Sequence, residues 1–132
     1  IQYTVFGVPS VFYGDEAGLE GYHDPFCRRP YPWGAEDTSL LAFYRRLGQI
    51  RKQHSVFASG EFSILCENER ALAFERYDEN ERVIVAANCG EEPFALTVPW
   101  GEELLSGKKE GGRVEILQNQ VKIWRTLPCS KK

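Results

Sequence analysis

The chain has 132 residues, of which 42% are hydrophobic and 27% charged, and its formal net charge is −3. This composition is typical of a globular domain and excludes a disordered chain, while the acidic balance and the lack of a basic stripe argue against a nucleic-acid-binding protein. No run of 18 apolar residues is present, so the sequence predicts neither a transmembrane helix nor a membrane partner.

The start of the sequence predicts a piece of a longer protein. The chain contains no methionine, and it opens on the hydrophobic residues 1–6, whereas domain termini are usually exposed and polar. Residues 1–6 are too short an apolar run to distinguish a strand from a helix end. Residues 10–13 are aromatic and β-branched and lie between Pro9 and Gly14, which predicts a buried strand.

A long loop and one helix follow. Residues 15–37 are rich in proline and glycine and predict a loop, and a loop of this length is often functional. Asp37 and the two residues after it offer caps for a helix over residues 40–54. Apolar residues at 40, 41, 43, 44, 47 and 50 share one face of that helix. The basic residues at 45, 46, 51 and 52 are predicted to be solvated.

After residue 55 the sequence predicts a series of short strands. Residues 78–81 read as a hairpin turn, and residues 119–120 read as a second tight turn. Turns at this spacing predict an antiparallel sandwich or barrel. The predicted strands are residues 61–66, 71–77, 82–89, 93–98, 114–117 and 121–127.

The cysteine and histidine positions do not predict a metal site. His23 and Cys27 are four residues apart, but a zinc site needs about four such ligands at short spacing. His23 and His54 are both predicted to lie on the surface. The wide spacing of the cysteines, with no C-x-x-C pair, favours buried and reduced thiols over two disulfides. The four cysteines are Cys27, Cys66, Cys89 and Cys129.

Adjacent carboxylates occur at three places. Asp15 and Glu16 would point to opposite faces of an extended segment, so they cannot easily flank one bond as an acid–base pair. Residues 91–92 and 102–103 fall in predicted turns and are predicted to be solvated. The glycines at 7, 14, 18 and 21 form no phosphate-binding motif.

The segment of residues 7–33 has the most informative chemistry. It combines carboxylates, arginines and aromatic side chains in a strand, a glycine turn and a loop. Charged groups hydrogen-bond hydroxyls, and aromatic faces pack against the apolar faces of sugar rings, so the mixture suits a carbohydrate. The alternative is an ordinary Asp–Arg ion pair that braces a long loop, and residue types alone do not choose between the two.

Two motifs in this segment resemble the α-amylase family of glycoside hydrolases. Residues 7–18, GVPSVFYGDEAG, are similar to the region of the eighth barrel strand. Residues 24–33, DPFCRRPYPW, look closer still to the neopullulanase, cyclomaltodextrinase and maltogenic amylase group. The helix over residues 40–54 is similar to the last barrel helix, and the following strands are similar to the C-terminal all-β domain. The resemblance therefore covers the whole chain.

The resemblance implies a mainly β fold, in which the last strand and helix of a (β/α)8 barrel, residues 1–55, precede a C-terminal antiparallel β-sandwich domain, residues 56–132. It also implies an active-site face at the loop that follows the barrel strand. By position, Asp24 and Arg28 match family residues that bind glucose units on the non-reducing side of the cleaved bond. No cofactor or metal is implied.

The same resemblance decides the expectation about catalysis. The family hydrolyses α-1,4 or α-1,6 glucosidic bonds with retention, using a carboxylate nucleophile and a carboxylic acid about 5–5.5 Å apart. In the family these groups lie on strands four, five and seven together with a supporting aspartate, and their motifs are not present in this chain. We therefore expect a hydrolase parent, a chain with no catalytic residue of its own, and an α-glucan or maltooligosaccharide as substrate.

Two other functions remain open at this point. The β domain could be a non-catalytic carbohydrate-binding module, which paired exposed aromatics at Trp100 and Trp124 would support, or it could have a purely structural role. We favour core positions for both tryptophans because Trp124 falls in a regular strand. Residues 1–55 are expected to pack on the β domain or on a second copy of the chain, as a homodimer. The resemblance implies a cytoplasmic location.

Overall fold

The structure, a computed structural model, describes residues 1–127 and confirms a mainly β, antiparallel fold. A single turn of 3-10 helix at Asp15–Ala17 precedes the regular elements. Over residues 1–127, no helix is long and apolar enough to cross a membrane. The regular elements are α1 (Thr38–Gln53), α2 (Val56–Ser59), β1 (Glu61–Glu67), β2 (Ala71–Tyr77), β3 (Arg82–Asn88), β4 (Phe94–Glu103), β5 (Lys108–Ile116) and β6 (Gln120–Thr126).

Helix α1 begins at the predicted cap. Asp37 Oδ1 accepts hydrogen bonds from the backbone N–H groups of Ser39 at 3.0 Å and Leu40 at 2.9 Å, which satisfies two amides that a helix start leaves without partners. The hydroxyl of Ser39 also donates to Asp37, at 2.6 Å. The hydroxyl bond and then the backbone bonds lower the pKa of Asp37 below its ordinary value. The helix ends before His54, whose N–H donates to the carbonyl of Ile50.

The six strands form one sheet in the order β1-β2-β3-β6-β4-β5, with antiparallel pairing throughout. Strands β2, β3 and β6 are its centre and are covered on both faces. This arrangement explains the continuous apolar run in β3, because a strand buried on both faces does not alternate. One face packs against the helices through Ile50, Val56, Phe57, Phe74, Val83, Val85, Leu104 and Ile123. The other face packs against β4 and β5 through Ala73, Ile84, Ala86, Val98, Val114, Ile116 and Trp124.

A bend in β4 makes the two layers of the predicted sandwich. The register of β4 against β5 shifts between Val98 and Gly101, and only the part from Gly101 to Glu103 also pairs with β6. A side chain at position 101 would collide with the carbonyl oxygen of Arg125, so this close approach requires glycine. The first half of β4 therefore turns, together with β5, across the face of the central strands.

Four of the six strands, β1, β2, β3 and β6, match the predicted positions to within a residue at each end, but β4 and β5 are longer than predicted. Glu103 is consequently in a strand and buried, whereas residues 102–103 were predicted to form a solvated turn. Its Oε1 accepts from the N–H groups of Leu105 and Ile123, and its Oε2 accepts from Ser106. The prediction was wrong because one of these donors belongs to β6, twenty residues further along the chain.

Residues 10–13 do not form the predicted buried strand. They lie outside regular structure, and Val11, Phe12 and Tyr13 are exposed. A strand is stabilised by hydrogen bonds to a neighbouring strand, and the sheet of the described residues contains only β1 to β6. Residues 1–5 form a helical turn, in which the N–H groups of Thr4 and Val5 donate to the carbonyl of Ile1.

The basic residues of α1 are not all solvated, which corrects a second prediction. Arg51 donates to the carbonyl oxygens of Tyr3 at 2.8 Å and Val5 at 3.1 Å, and it also donates to that of Gly7. Arg46 donates to the carbonyl of Leu104. These side chains tie the helix to the N-terminal turn and to the β domain, contacts across more than 40 residues that local charge patterning does not reveal.

His54 is buried rather than on the surface as predicted. Its Nδ1 lies 2.7 Å from Glu81 Oε2, and only 7% of its side chain is exposed. Glu81 belongs to the predicted hairpin turn, where Asp78 accepts hydrogen bonds from the N–H groups of Asn80 and Glu81. The pair joins the end of α1 to the β2–β3 hairpin.

The cysteines are less buried than predicted. Cys27 and Cys66 are half-buried, and Cys89 is exposed, because it follows the end of β3 at the rim of the sheet. All three are free thiols, in agreement with the prediction that they are reduced. The corresponding prediction for Cys129 falls outside the residues that the structure describes.

Candidate functional site

The loop between residue 14 and helix α1 is closed at its base by short contacts. Gly14 and Gly18 flank the 3-10 turn with φ angles of 85° and 72°, a left-handed conformation that favours glycine. The N–H of Asp37 donates to the carbonyl of Ala17 at 3.0 Å. The residue that caps α1 thus also holds the base of the loop, and the segment between them projects outward.

Asp24 and Arg28 are brought together at the tip of this loop. Arg28 Nε lies 2.7 Å from Asp24 Oδ1, and its Nη2 donates to Oδ2 at 2.9 Å, so the guanidinium binds the carboxylate with two parallel bonds. The two side chains are 59% and 76% exposed for Asp24 and Arg28. Such an exposed pair adds little to stability, and its free donors and acceptors face solvent, where a ligand can reach them.

Aromatic side chains extend along the same loop. The rings of Tyr13 and Tyr31 are 6.3 Å apart, and those of Tyr31 and Trp33 are 4.6 Å apart. Trp33 is 83% exposed. Desolvation raises the pKa of Tyr31 above its ordinary value, and the carboxylates of Glu16 and Glu36 act in the same direction. A tyrosine hydroxyl is protonated at neutral pH and can donate a hydrogen bond.

The carboxylates next to Gly14 have separate surroundings. Asp15 is exposed within the 3-10 turn, while Glu16 is half-buried and lines a cleft of about 320 Å³ together with Tyr3, Tyr44 and Arg45. Since the turn is helical and not extended, the prediction that they point to opposite faces of a strand does not apply.

His23 and Cys27 do not assemble a metal site: within residues 1–127 no three His, Cys, Asp or Glu residues are grouped to hold a metal ion.

Two carboxylates of the β domain, Glu103 and Glu110, accept hydrogen bonds from neighbouring groups. Glu110 Oε1 accepts from Trp124 Nε1 at 2.8 Å and from Lys122 Nζ at 2.9 Å. Burial acts to raise the pKa of Glu110, but the hydrogen bonds from Lys122 and Trp124 outweigh it and hold this pKa below its ordinary value. Glu103 is likewise engaged by backbone amides. All of these partners lie in the strands of the sheet or in the turn between β4 and β5.

The two tryptophans of the β domain have opposite environments. Trp124 is fully buried between the layers, as predicted, whereas Trp100 is 71% exposed, which corrects the preference for a core position. Trp100 lies on the bend of β4 beside an open cleft of about 550 Å³. The sequence held one signal for this position, because Pro99 and Gly101 on either side of the tryptophan are typical of a bulge. The other residues that line this cleft are Asn80, Glu81, Gly101, Glu102, Lys109, Arg125, Thr126 and Leu127.

Several known proteins that resemble this chain in sequence or structure are cyclomaltodextrinases or maltogenic amylases by name. The chain matches no protein-family model. It is 34% identical over 124 residues, 89% of its length, to a cyclomaltodextrinase of Thermoanaerobacter pseudethanolicus, and 38% identical over 91 residues, 66% of its length, to a cyclomaltodextrinase of a Bacillus species. It covers 22% and 16% of those two proteins. The crystal structure of maltogenic amylase from S. marinus matches 93% of the chain with a TM-score of 0.78 and 27% identity, and the chain covers 18% of it.

The relatives belong to one class of protein, the α-glucan hydrolases, and the fold of this chain is the one found in their C-terminal part. The chain itself belongs to the α-amylase family of glycoside hydrolases, and it resembles the C-terminal part of these enzymes. Other relatives have the names maltogenic α-amylase, neopullulanase and amylopullulanase. The chain spans about a fifth of the length of the cyclomaltodextrinases that it matches.

Proposed function

We propose that this chain is the C-terminal portion of a retaining α-glucan hydrolase that acts on α-1,4 and α-1,6 glucosidic bonds, and that the catalytic carboxylates lie outside it. The observation that carries the proposal is the 34% identity to a cyclomaltodextrinase over 89% of the chain. The surroundings of the carboxylates support it. Glu81, Glu103 and Glu110 are engaged by structural partners.

The role proposed for Asp24 and Arg28 is to bind glucose units of the substrate. Their bidentate contact fixes the direction of both groups, and their exposure leaves acceptors and donors for sugar hydroxyls. Tyr31 and Trp33, further along the same loop, offer aromatic surface for the apolar faces of the rings. In this proposal the loop contributes one wall of the substrate cleft and no step of the bond cleavage.

The proposal predicts that the purified chain does not cleave glucans. We expect no reducing ends from β-cyclodextrin or from pullulan, because the proposal places the nucleophile and the acid outside this chain. The measurement is a reducing-end assay after size-exclusion purification. Activity that persists through purification and is abolished by Asp15→Asn, Glu16→Gln, Glu20→Gln or Asp24→Asn would contradict it, since a catalytic pair would then lie within residues 15–24.

A second prediction concerns the ion pair itself. Replacing Arg28 with lysine is expected to weaken maltooligosaccharide binding at the loop by about fivefold to tenfold, because lysine keeps the charge but loses the planar two-bond contact that orients Asp24. Isothermal titration with maltoheptaose measures the change. The matched control is Arg29→Lys on the same loop, for which we expect an unchanged affinity. Because lysine keeps the charge at both positions, equal losses in the two variants would show that the contact between Arg28 and Asp24 has no specific role in binding.

The domain division into residues 1–55 and 56–132 stays a prediction. Ile50 belongs to the same core cluster as Val56 and Phe57, and His54 contacts Glu81, so the proposed boundary crosses a packed region. Cooperative unfolding of residues 56–132 expressed alone is the test of an independent β domain. Loss of its cooperative transition would place helix α1 within that folding unit.

The proposals about partners rest on the exposed apolar surface of the first part of the chain. Of the seventeen large hydrophobic residues exposed among residues 1–127, ten lie in residues 1–43. A surface of this kind is usually covered by another element or chain, and a homodimer is one such cover. Sedimentation equilibrium measures the mass in solution, and a monomer at all concentrations would exclude the dimer.

The proposed cytoplasmic location of the protein is supported by the free thiols. Fractionation of cells into cytoplasm, membrane and medium tests it.

The alternative function is a non-catalytic carbohydrate-binding domain. The exposure of Trp100 favours it, whereas the burial of Trp124 removes the paired platform that the sequence analysis named as its signature. The two functions are compatible, because a hydrolase can hold its glucan at a second site on its β domain.

A further inference from the structure

We propose that the cleft beside Trp100 is a second carbohydrate site, which holds an α-linked glucan on the β domain away from the Asp24 and Arg28 loop. The inference rests on the proposed function for the chemistry of its ligand. It is supported by two features of the structure: an exposed indole on a closely packed backbone, and polar groups that line the same open cleft.

The backbone holds Trp100 in a fixed position. It stands at the register shift of β4, between the pairing of Val98 and that of Gly101. On the neighbouring strand, a Cβ at Gly111 would lie only 2.6 Å from the Cα of Trp100, so glycine is needed for the two backbones to approach this closely. On a closely packed backbone, a tryptophan has only two side-chain torsions to order when a ligand packs against it, which keeps the entropic cost of binding small.

Polar side chains line the same cleft as the indole of Trp100. Arg125 Nη2 donates to Glu102 Oε2 at 3.1 Å, and both side chains are partly exposed. This bond uses one of the five N–H donors of the guanidinium. Lys109 and Asn80 lie at the rim of the same cleft. Hydroxyl groups at the edge of a sugar ring can pair with these donors and acceptors while the apolar face of the ring packs on Trp100.

The aromatic ring and the mixed polar groups of this cleft favour a neutral polyhydroxylated ligand over a charged one. Within the cleft, the positive charges of Arg125 and Lys109 accompany the negative charges of Glu102 and Glu81, so no charge of one sign prevails. An anionic or cationic ligand would therefore gain little there. A flat aromatic face beside mixed donors and acceptors is the arrangement that binds a sugar, and the relatives named cyclomaltodextrinase and amylopullulanase point to α-linked glucose units.

The test labels the full chain with 5-fluorotryptophan and follows its three 19F resonances, from Trp33, Trp100 and Trp124, during titration with maltoheptaose. Cellohexaose, which has β linkages, is the control ligand. We expect the Trp100 resonance to move in a saturable way with maltoheptaose and to move much less with cellohexaose. The buried Trp124 resonance should stay in place. The Trp33 resonance reports the Asp24 and Arg28 loop independently.

The possible outcomes separate the two proposals. Movement of Trp33 with a stationary Trp100 would overturn this inference and leave the proposed function intact, and the reverse would support the cleft while counting against the loop. An equal response to cellohexaose would overturn the assignment to α-glucans. A Trp100 resonance that shifts on raising the protein concentration without sugar would identify a second copy as the occupant and overturn the site.

Variants give a quantitative check through the backbone amide shifts of Asn80 and Gly101. Trp100→Ala is expected to weaken maltoheptaose binding at these amides about tenfold or more, and Trp100→Phe about twofold to threefold, because the smaller ring keeps part of the stacking surface. Leu117→Ala shortens an exposed apolar side chain of the β domain that does not line this cleft, so it is the matched control and should leave the affinity at these amides unchanged. Unchanged binding in Trp100→Ala would overturn the proposal.

Discussion

Replacing Arg76 with methionine is expected to lower the free energy of unfolding by about 3–5 kcal/mol. The side chain is 1% exposed, although it is charged and lies in the middle of β2. Removing it leaves buried carbonyl groups without donors, and a buried polar group without a partner costs about 1–3 kcal/mol. A domain of this size has only about 5–15 kcal/mol in total, so the variant should be strongly destabilised.

The geometry around Arg76 explains the size of this effect. Its guanidinium donates to the carbonyl oxygens of Gly60 at 2.8 Å, Phe57 at 3.2 Å and Thr4 at 3.3 Å, and its Nε donates to Glu61 at 3.2 Å. Phe57 lies within the short helix α2 and Gly60 follows its last residue, so the guanidinium satisfies carbonyl groups that the end of a helix leaves without donors. One side chain therefore joins the N-terminal turn, α2 and the start of β1. Desolvation lowers the pKa of Arg76, and the nearby charge of Arg51 lowers it further.

Urea denaturation measured by circular dichroism gives the free energy of unfolding. Arg113→Met is the matched control, because Arg113 is exposed on β5, and we expect a change of less than about 0.5 kcal/mol. Arg76→Lys should recover only part of the loss, since lysine cannot reach four carbonyl groups in the same plane. A loss in Arg76→Met no larger than in Arg113→Met would show that the carbonyl groups find other partners.

The second large effect is expected at Trp124, where substitution by alanine should cost about 3–5 kcal/mol. The indole is fully buried between the two layers and packs among Ala73, Ile84 and Val98. Its removal leaves a cavity that the surrounding strands can fill only partly. Trp100→Ala is the control: it makes the same chemical change at an exposed position and should alter stability by less than about 0.5 kcal/mol. Thermal unfolding compares the two variants.

Trp124→Phe separates packing from hydrogen bonding, with an expected loss of about 1–3 kcal/mol. The N–H of Trp124 helps to hold the pKa of Glu110 below its ordinary value in the folded state. A lowered carboxyl pKa contributes stability above the unfolded pKa, and this stability is lost as the pH falls through the folded pKa. Trp124→Phe should therefore be less sensitive to acid than the parent chain. An unchanged pH dependence would assign the pKa shift to Lys122 alone.

The sequence by itself determined most of the regular elements. Helix α1 was predictable because Asp37 is a cap that bonds to the residues directly after it. Strands β2, β3 and β6 were predictable because their apolar runs are bounded by turns such as residues 78–81, whose bonds are also local. The ion pair of Asp24 and Arg28 is also a local contact, because the two residues are only four positions apart in the chain.

Only the tertiary structure decided which polar and aromatic groups are buried. Arg76 donates to residues that are 15 to 72 positions away in the chain. His54 contacts a residue 27 positions away, and Glu103 accepts one bond from a residue 20 positions away, so no local pattern distinguishes these side chains from surface residues. The bend of β4 sends Trp100 to the surface while Trp124 of β6 enters the core, although both tryptophans lie in strands. Residues 10–13 have the composition of a strand but lack a pairing partner within the sheet. Composition and periodicity report what a segment favours, whereas burial is fixed by contacts between segments that are distant in the sequence.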